Sequence, residues 1–79
     1  RYPQVLINVP VGKRADFKKV PELKKAYDEA AAKLEGRGRV LIRYSGTQLL
    51  LRIMVEGPSH KEISKIAEGL GKIFKKKLA

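Results

Sequence analysis

Arg39-Val40-Leu41-Ile42-Arg43-Tyr44-Ser45-Gly46-Thr47-Gln48-Leu49-Leu50-Leu51-Arg52-Ile53-Met54-Val55-Glu56 is the stretch on which the fold turns. Its two ends, Arg39 to Tyr44 and Leu49 to Glu56, are apolar runs of strand length, rich in β-branched residues. Between them Ser45-Gly46-Thr47-Gln48 is a quartet of turn formers. If those four residues are the loop, Arg43 lies opposite Leu50 and Leu41 opposite Arg52. Side chains alternate along a strand, so Val40, Ile42, Tyr44, Leu49, Leu51, Ile53 and Val55 then share one face. Leu41, Arg43, Leu50, Arg52 and Met54 share the other. A loop of odd length would break both sets, so the clean sorting favours an even one.

Working outward, Gly36 upstream is a candidate helix C-cap. Before it, Val20, Leu23, Tyr27, Ala30 and Leu34 recur at steps of three and four, one apolar stripe of a helix. Pro21 suits the first helical position and Glu22 the first turn, where the helix dipole favours a carboxylate. Lys24, Lys25, Asp28, Glu29 and Lys33 make the opposite face. Val11 to Lys19 is basic and irregular, with a turn at Gly12. Gln4-Val5-Leu6-Ile7-Asn8-Val9 reads as a strand stopped by Pro10.

Downstream, Gly57-Pro58 closes the hairpin. Ser59-His60-Lys61-Glu62 is a capping box, with hydroxyl and carboxylate each able to satisfy a free amide at the start of a helix. Ile63, Ile66, Ala67, Leu70, Ile73, Phe74 and Leu78 line one side of that helix, and Lys75, Lys76 and Lys77 sit at its C-terminal end. The order is β-α-β-β-α. It predicts an α+β domain: an antiparallel sheet of three to four strands with two helices on one face.

Seventy-nine residues make one domain, residues 1–79, with a core small enough to be marginal. Without cysteine there is no disulfide and no thiolate metal site. No apolar run approaches the ~18 residues of a membrane span, and no signal peptide is visible. The chain begins Arg1-Tyr2-Pro3 rather than with Met, as a piece of something longer would. Eighteen Lys and Arg against eight Asp and Glu give a net charge of +10, which raises a polyanion partner as a first hypothesis. The lysines, however, are spread from Lys13 to Lys77, and the aromatics fall on apolar periodicities instead of between basic residues. A lysine-rich solvated surface, as in heat-tolerant proteins, accounts for the charge as well.

One segment combines the groups that a phosphate needs. Arg43 and Arg52 offer rigid forks of donors, Ser45 and Thr47 add hydroxyls, and Gly46 tolerates a positive φ that would let backbone amides turn inward as an anion nest. The competing reading of the same residues is an ordinary hairpin turn with two solvated arginines. His60 has no cysteine or second histidine near it in sequence and reads as a surface residue.

Residues 39–57 resemble the last domain of the phosphoglucosamine mutases, in the phosphohexomutase superfamily. The signature there is R-x-S-G-T-E-P-x-x-R running into V-M-V-E-G, and Tyr2-Pro3-Gln4-Val5-Leu6-Ile7-Asn8-Val9 is similar to the strand that opens that domain. The resemblance implies a fold like that of TATA-binding protein. It implies that Arg43, Ser45, Gly46, Thr47 and Arg52 bind the phosphate of the sugar that is not reacting, in a domain that closes the active-site cleft. It implies no catalytic residue, metal ligand or cofactor within this domain. For the parent enzyme it implies a phosphoserine, Mg²⁺ and a bisphosphorylated sugar intermediate supplied by earlier domains, with conversion between glucosamine 6-phosphate and glucosamine 1-phosphate. The expected partners are a sugar phosphate and the other domains of the same cytoplasmic enzyme, with no membrane. The alternatives are other hexose phosphates (the phosphomannomutase and phosphoglucomutase branch), a small basic nucleic-acid-binding module, and an interaction domain whose sheet face docks a partner. Gln48 and Leu49 depart from the signature's Glu-Pro. The first removes a carboxylate, and the second restores an N–H and frees φ.

Overall fold

The computed structural model describes residues 2–79. Strand β1 (Gln4–Pro10) leads through a short 3-10 turn (Phe17–Lys19) into helix α1 (Pro21–Lys33), followed by β2 (Arg39–Tyr44), β3 (Leu50–Glu56) and helix α2 (His60–Leu78). The strands form one antiparallel sheet in the order β1-β3-β2, so the last strand inserts between the first two. Both helices cover the same sheet face, as the α+β reading expected. The β1–β3 pairing and the central position of β3 were not among the sequence expectations.

Period-two burial explains the sheet's sidedness. Val5, Ile7 and Val9 on β1, Val40, Ile42 and Tyr44 on β2, and Leu51, Ile53 and Val55 on β3 face the helices. They meet Leu23, Ala26, Ala30 and Leu34 of α1 and its end, and Ile63, Ala67, Leu70, Phe74 and Leu78 of α2. Phe17 packs edge-on against both Tyr27 and Phe74, closing the core beneath the 3-10 turn. Burying each of these large side chains contributes about 1.5–3 kcal/mol.

Local expectations are corrected at four points. The strands around the turn pair two residues further on: Arg43 faces Arg52 and Tyr44 faces Leu51, rather than Arg43 facing Leu50. A shift of two preserves parity, so both face assignments survive except at Leu49. That residue leaves the strand for the turn and is half exposed. In α2, Ile73 is 43% exposed, and Gly71 takes the inward position against the Ile7 side chain. The capping box is half formed: Ser59 Oγ accepts from the Glu62 amide at 3.2 Å, while the Glu62 carboxylate pairs with Arg37 at 3.2 Å. Gly36 sits two residues past the Leu34 cap with φ of 75°, while β1 ends at Pro10, opposite Leu50, as expected.

Candidate phosphate site

The sheet face away from the helices is uncovered, and its residues lie in rows across the three strands. Gln4, Glu56 and Arg39 form one row, with Gln4 Nε2 donating to Glu56 at 3.0 Å and Arg39 Nε 3.3 Å from the same carboxylate. Leu6, Met54 and Leu41 form the next, and Asn8, Arg52 and Arg43 the one beside the turn. The hydrophobic alternation that buries Val9, Ile42 and Ile53 therefore delivers two guanidinium groups side by side on an exposed surface.

Arg43 and Arg52 differ from the other described arginines in lacking a partner. Arg37 pairs with Glu62 and Arg39 with Glu56, while Arg14 donates to the Gln48 carbonyl at 2.9 Å. No carboxylate among the described residues bridges Arg43 or Arg52. Like charges directly across an antiparallel ladder are destabilising, so this pair costs stability unless an anion sits between the two.

The turn adds the other expected donors next to that row. Ser45 N–H donates to the Leu50 carbonyl at 2.8 Å, and Ser45 Oγ accepts from the Thr47 amide at 3.3 Å. Gly46 does not take the expected left-handed conformation; Gly36 alone has a positive φ among the described residues. A Cβ at Gly46 would touch nothing within 4 Å, so neither backbone angle nor crowding within the chain demands glycine there. The anion nest inferred from a positive φ is accordingly not formed by this turn. Arg43, Ser45, Gly46, Thr47 and Arg52 lie together at one end of the sheet, exposed except for half-buried Ser45.

Two residues near this group escaped the sequence reading. Asn8 shares the row of the two arginines, which only the β1–β3 pairing reveals. Arg14 comes from the irregular segment after β1 and reaches the turn across 34 positions of sequence. Tyr44, inward on β2, donates its hydroxyl to the Ala15 carbonyl at 2.5 Å, and burial pushes its pKa up.

No group of three or more His, Cys, Asp or Glu able to hold a metal occurs among the described residues. Asp28, Glu22, Glu56 and Glu62 are each engaged by a lysine or arginine instead. His60 lies at the exposed start of α2 with Ser64 Oγ 3.5 Å from its ring. No helix among the described residues is long and apolar enough to cross a membrane.

Both the sequence and the β-α-β-β-α frame have counterparts among known proteins. Residues 6–72 match the family model described as phosphoglucomutase/phosphomannomutase, C-terminal domain, and the chain belongs to that family. Within it, the chain is 47% identical over 76 residues to a phosphoglucosamine mutase of Citrifermentans bemidjiense, covering 96% of this chain and 17% of that protein. It is 45% identical over 80 residues to one of Caldicellulosiruptor bescii, covering 99% of this chain and 18% of that protein. The chain thus spans about a sixth of the length of these relatives. The fold is similar to part of the crystal structure of Aspergillus fumigatus N-acetylphosphoglucosamine mutase in complex with GlcNAc-6P and magnesium. That match has a TM-score of 0.76 at 23% identity and covers 99% of this chain and 16% of that one. These relatives give the nucleic-acid alternative no support.

Proposed function

We propose that this domain grips the phosphate of a hexosamine phosphate for a phosphoglucosamine mutase, within a larger chain that supplies the chemistry. The observation that carries this reading is the direct opposition of Arg43 and Arg52 on an uncovered face, without a carboxylate between them. A phosphate dianion accepts from both forks at once and removes the repulsion between them. Ser45 and Thr47 hydroxyls and the exposed amides around Gly46 supply neutral donors at the rim. The net charge of +10 raises the local concentration of any anionic substrate.

Such a site reads a phosphate and little else, which suits a mutase. If a bisphosphorylated sugar must present each end in turn to the reacting centre, the end that is not reacting has to be held in either orientation. Arginine forks recognise the group common to both and impose no sugar face. The domain contributes positioning and charge neutralisation as a cleft closes. Magnesium, present in the complex of the fungal relative, would be held by other parts of the enzyme, since the carboxylates among the described residues do not converge. The identity to the bacterial relatives favours glucosamine phosphates over other hexose phosphates, and a soluble phosphosugar substrate fits a cytoplasmic enzyme.

The test is Arg43→Ala in the full-length enzyme. Loss of one charge-assisted fork should lower kcat/KM on glucosamine phosphate by about 100-fold or more with the domain still folded. Kinetics equal to wild type would overturn the reading.

A further inference from the structure

Resting on that reading, we propose that Arg14 is a positioning residue for phosphate binding: its hold on the Gln48 carbonyl, 2.9 Å away, stiffens the phosphate turn. The turn has little internal support. Its own hydrogen bonds are Ser45 N–H to Leu50 O, which closes its base, and Thr47 N–H to Ser45 Oγ. The second half is held from outside. Val11 N–H donates to the Leu49 carbonyl at 3.0 Å and Arg14 Nη2 donates to the Gln48 carbonyl, while at the turn's entry Tyr44 Oη donates to Ala15 O at 2.5 Å. The bracing segment is itself anchored, since Gly12 N–H donates to the Leu78 carbonyl at 2.6 Å and Asp16 caps the 3-10 turn.

Two consecutive carbonyls, those of Gln48 and Leu49, are thus pinned by one strap. A trans peptide is planar, so pinning the Gln48 carbonyl also fixes the Leu49 N–H on the opposite side. That N–H is the group a proline would lack, and it has no hydrogen-bond partner among the described residues. Proline at 49 would restrict the same stretch covalently, through its own φ and the backbone of Gln48. Clamp and proline are therefore alternative ways to restrain one turn. Arg14 is exposed, so removing it leaves the core intact.

This predicts an interaction between two positions that simple loss of a surface charge would not produce. Titration of the chain with inorganic phosphate, followed by amide chemical shifts at constant ionic strength, measures the affinity. Arg14→Ala should weaken phosphate binding about fivefold, the effect of one exposed charge-assisted hydrogen bond, with unchanged thermal midpoint. Adding Leu49→Pro to Arg14→Ala should restore most of that loss, and Arg14→Lys should lose less than Arg14→Ala. Unaltered affinity in Arg14→Ala, or a loss that Leu49→Pro does not recover, would overturn the proposal. Arg43→Ala in the same titration separates the two readings. If it abolishes binding while Arg14→Ala changes nothing, only the clamp fails; if the wild-type chain does not bind phosphate through residues 43–52, the phosphate site itself fails.

Discussion

Arg43 and Arg52 stand directly opposite one another on neighbouring strands and share the open sheet face with Asn8. The arrangement sets binding against stability. Arg52→Thr should leave the phosphate-free domain as stable as wild type or up to about 1 kcal/mol more stable, because a like-charge cross-strand pair is removed and threonine suits a strand. Phosphate at ten times its Kd should stabilise the wild type by about 1.4 kcal/mol and the variant by much less. Chemical denaturation with and without phosphate, with chloride holding ionic strength constant, reads both effects. Equal stabilisation of the two proteins would remove Arg52 from the site.

A second expectation concerns the approach of β3 to the entry of β2. A Cβ added at Gly38 would lie 1.9 Å from the Glu56 carbonyl oxygen and 2.8 Å from its carbon, both backbone atoms that no rotamer change can move. Gly38→Ala should therefore cost about 3 kcal/mol or more and unfold much of the population of so small a domain. Gly69, in the middle of α2, has nothing within 4 Å of the same added atom. Gly69→Ala should stabilise by about 0.5–1 kcal/mol, since alanine loses less backbone freedom in a helix. Urea denaturation of both variants checks the opposite signs.

The contrast between those glycines marks what sequence could disclose. Periods of two and 3.6 are local properties, so the stripes of Leu23, Ala30 and Leu34, and of Ile63, Leu70 and Phe74, were legible, as was the parity of Leu41, Arg43, Arg52 and Met54. Parity does not fix register: pairings two residues apart bury the same faces, and the extra hydrogen bonds from Val11 and Arg14 to the turn select between them. The donors of the site were legible because a short motif carries them. That the two arginines are immediate neighbours depends on the register of β2 on β3, and that Asn8 lies beside them depends on β1 pairing with β3, which no local pattern encodes. Glu62 satisfies the capping pattern in sequence, but Arg37, 25 positions away, competes for its carboxylate and wins.

The start of α1 and the end of α2 are joined by charge. Lys77 Nζ lies 2.9 Å from Glu22 Oε1, and that hydrogen bond, followed by the Lys77 and Lys76 charges, lowers the Glu22 pKa. A carboxyl with a depressed folded pKa contributes stability above its unfolded pKa, and that contribution disappears as pH falls through the folded value. Wild type should therefore melt slightly above Glu22→Gln near neutral pH, with the two melting curves converging in acid. Both side chains are largely exposed, so the difference should be small and should fade in high salt. A gap that persists undiminished at low pH would show that the charge of Glu22 is not its source.

Tyr44 makes the opposite prediction at the alkaline end. Its half-buried hydroxyl is held neutral mainly by burial, with the Asp16 charge acting in the same direction. For a phenol, a raised folded pKa means that the fold favours the protonated form. The contribution is complete below the unfolded tyrosine pKa and is lost as pH rises through the folded value. Tyr44→Phe should cost about 1 kcal/mol at neutral pH, because the Ala15 carbonyl loses its donor. That cost should shrink as pH climbs past the ordinary tyrosine range, where the wild type must ionise Tyr44 or unfold to do so. The same variant loosens the strap over residues 45–49, so its phosphate affinity at neutral pH should fall together with its stability. Melting temperatures of wild type and Tyr44→Phe from neutral pH to the alkaline limit of folding, with a phosphate titration at the neutral end, test both consequences; a stability difference that stays constant across that range would mean that the hydroxyl is not the titrating group.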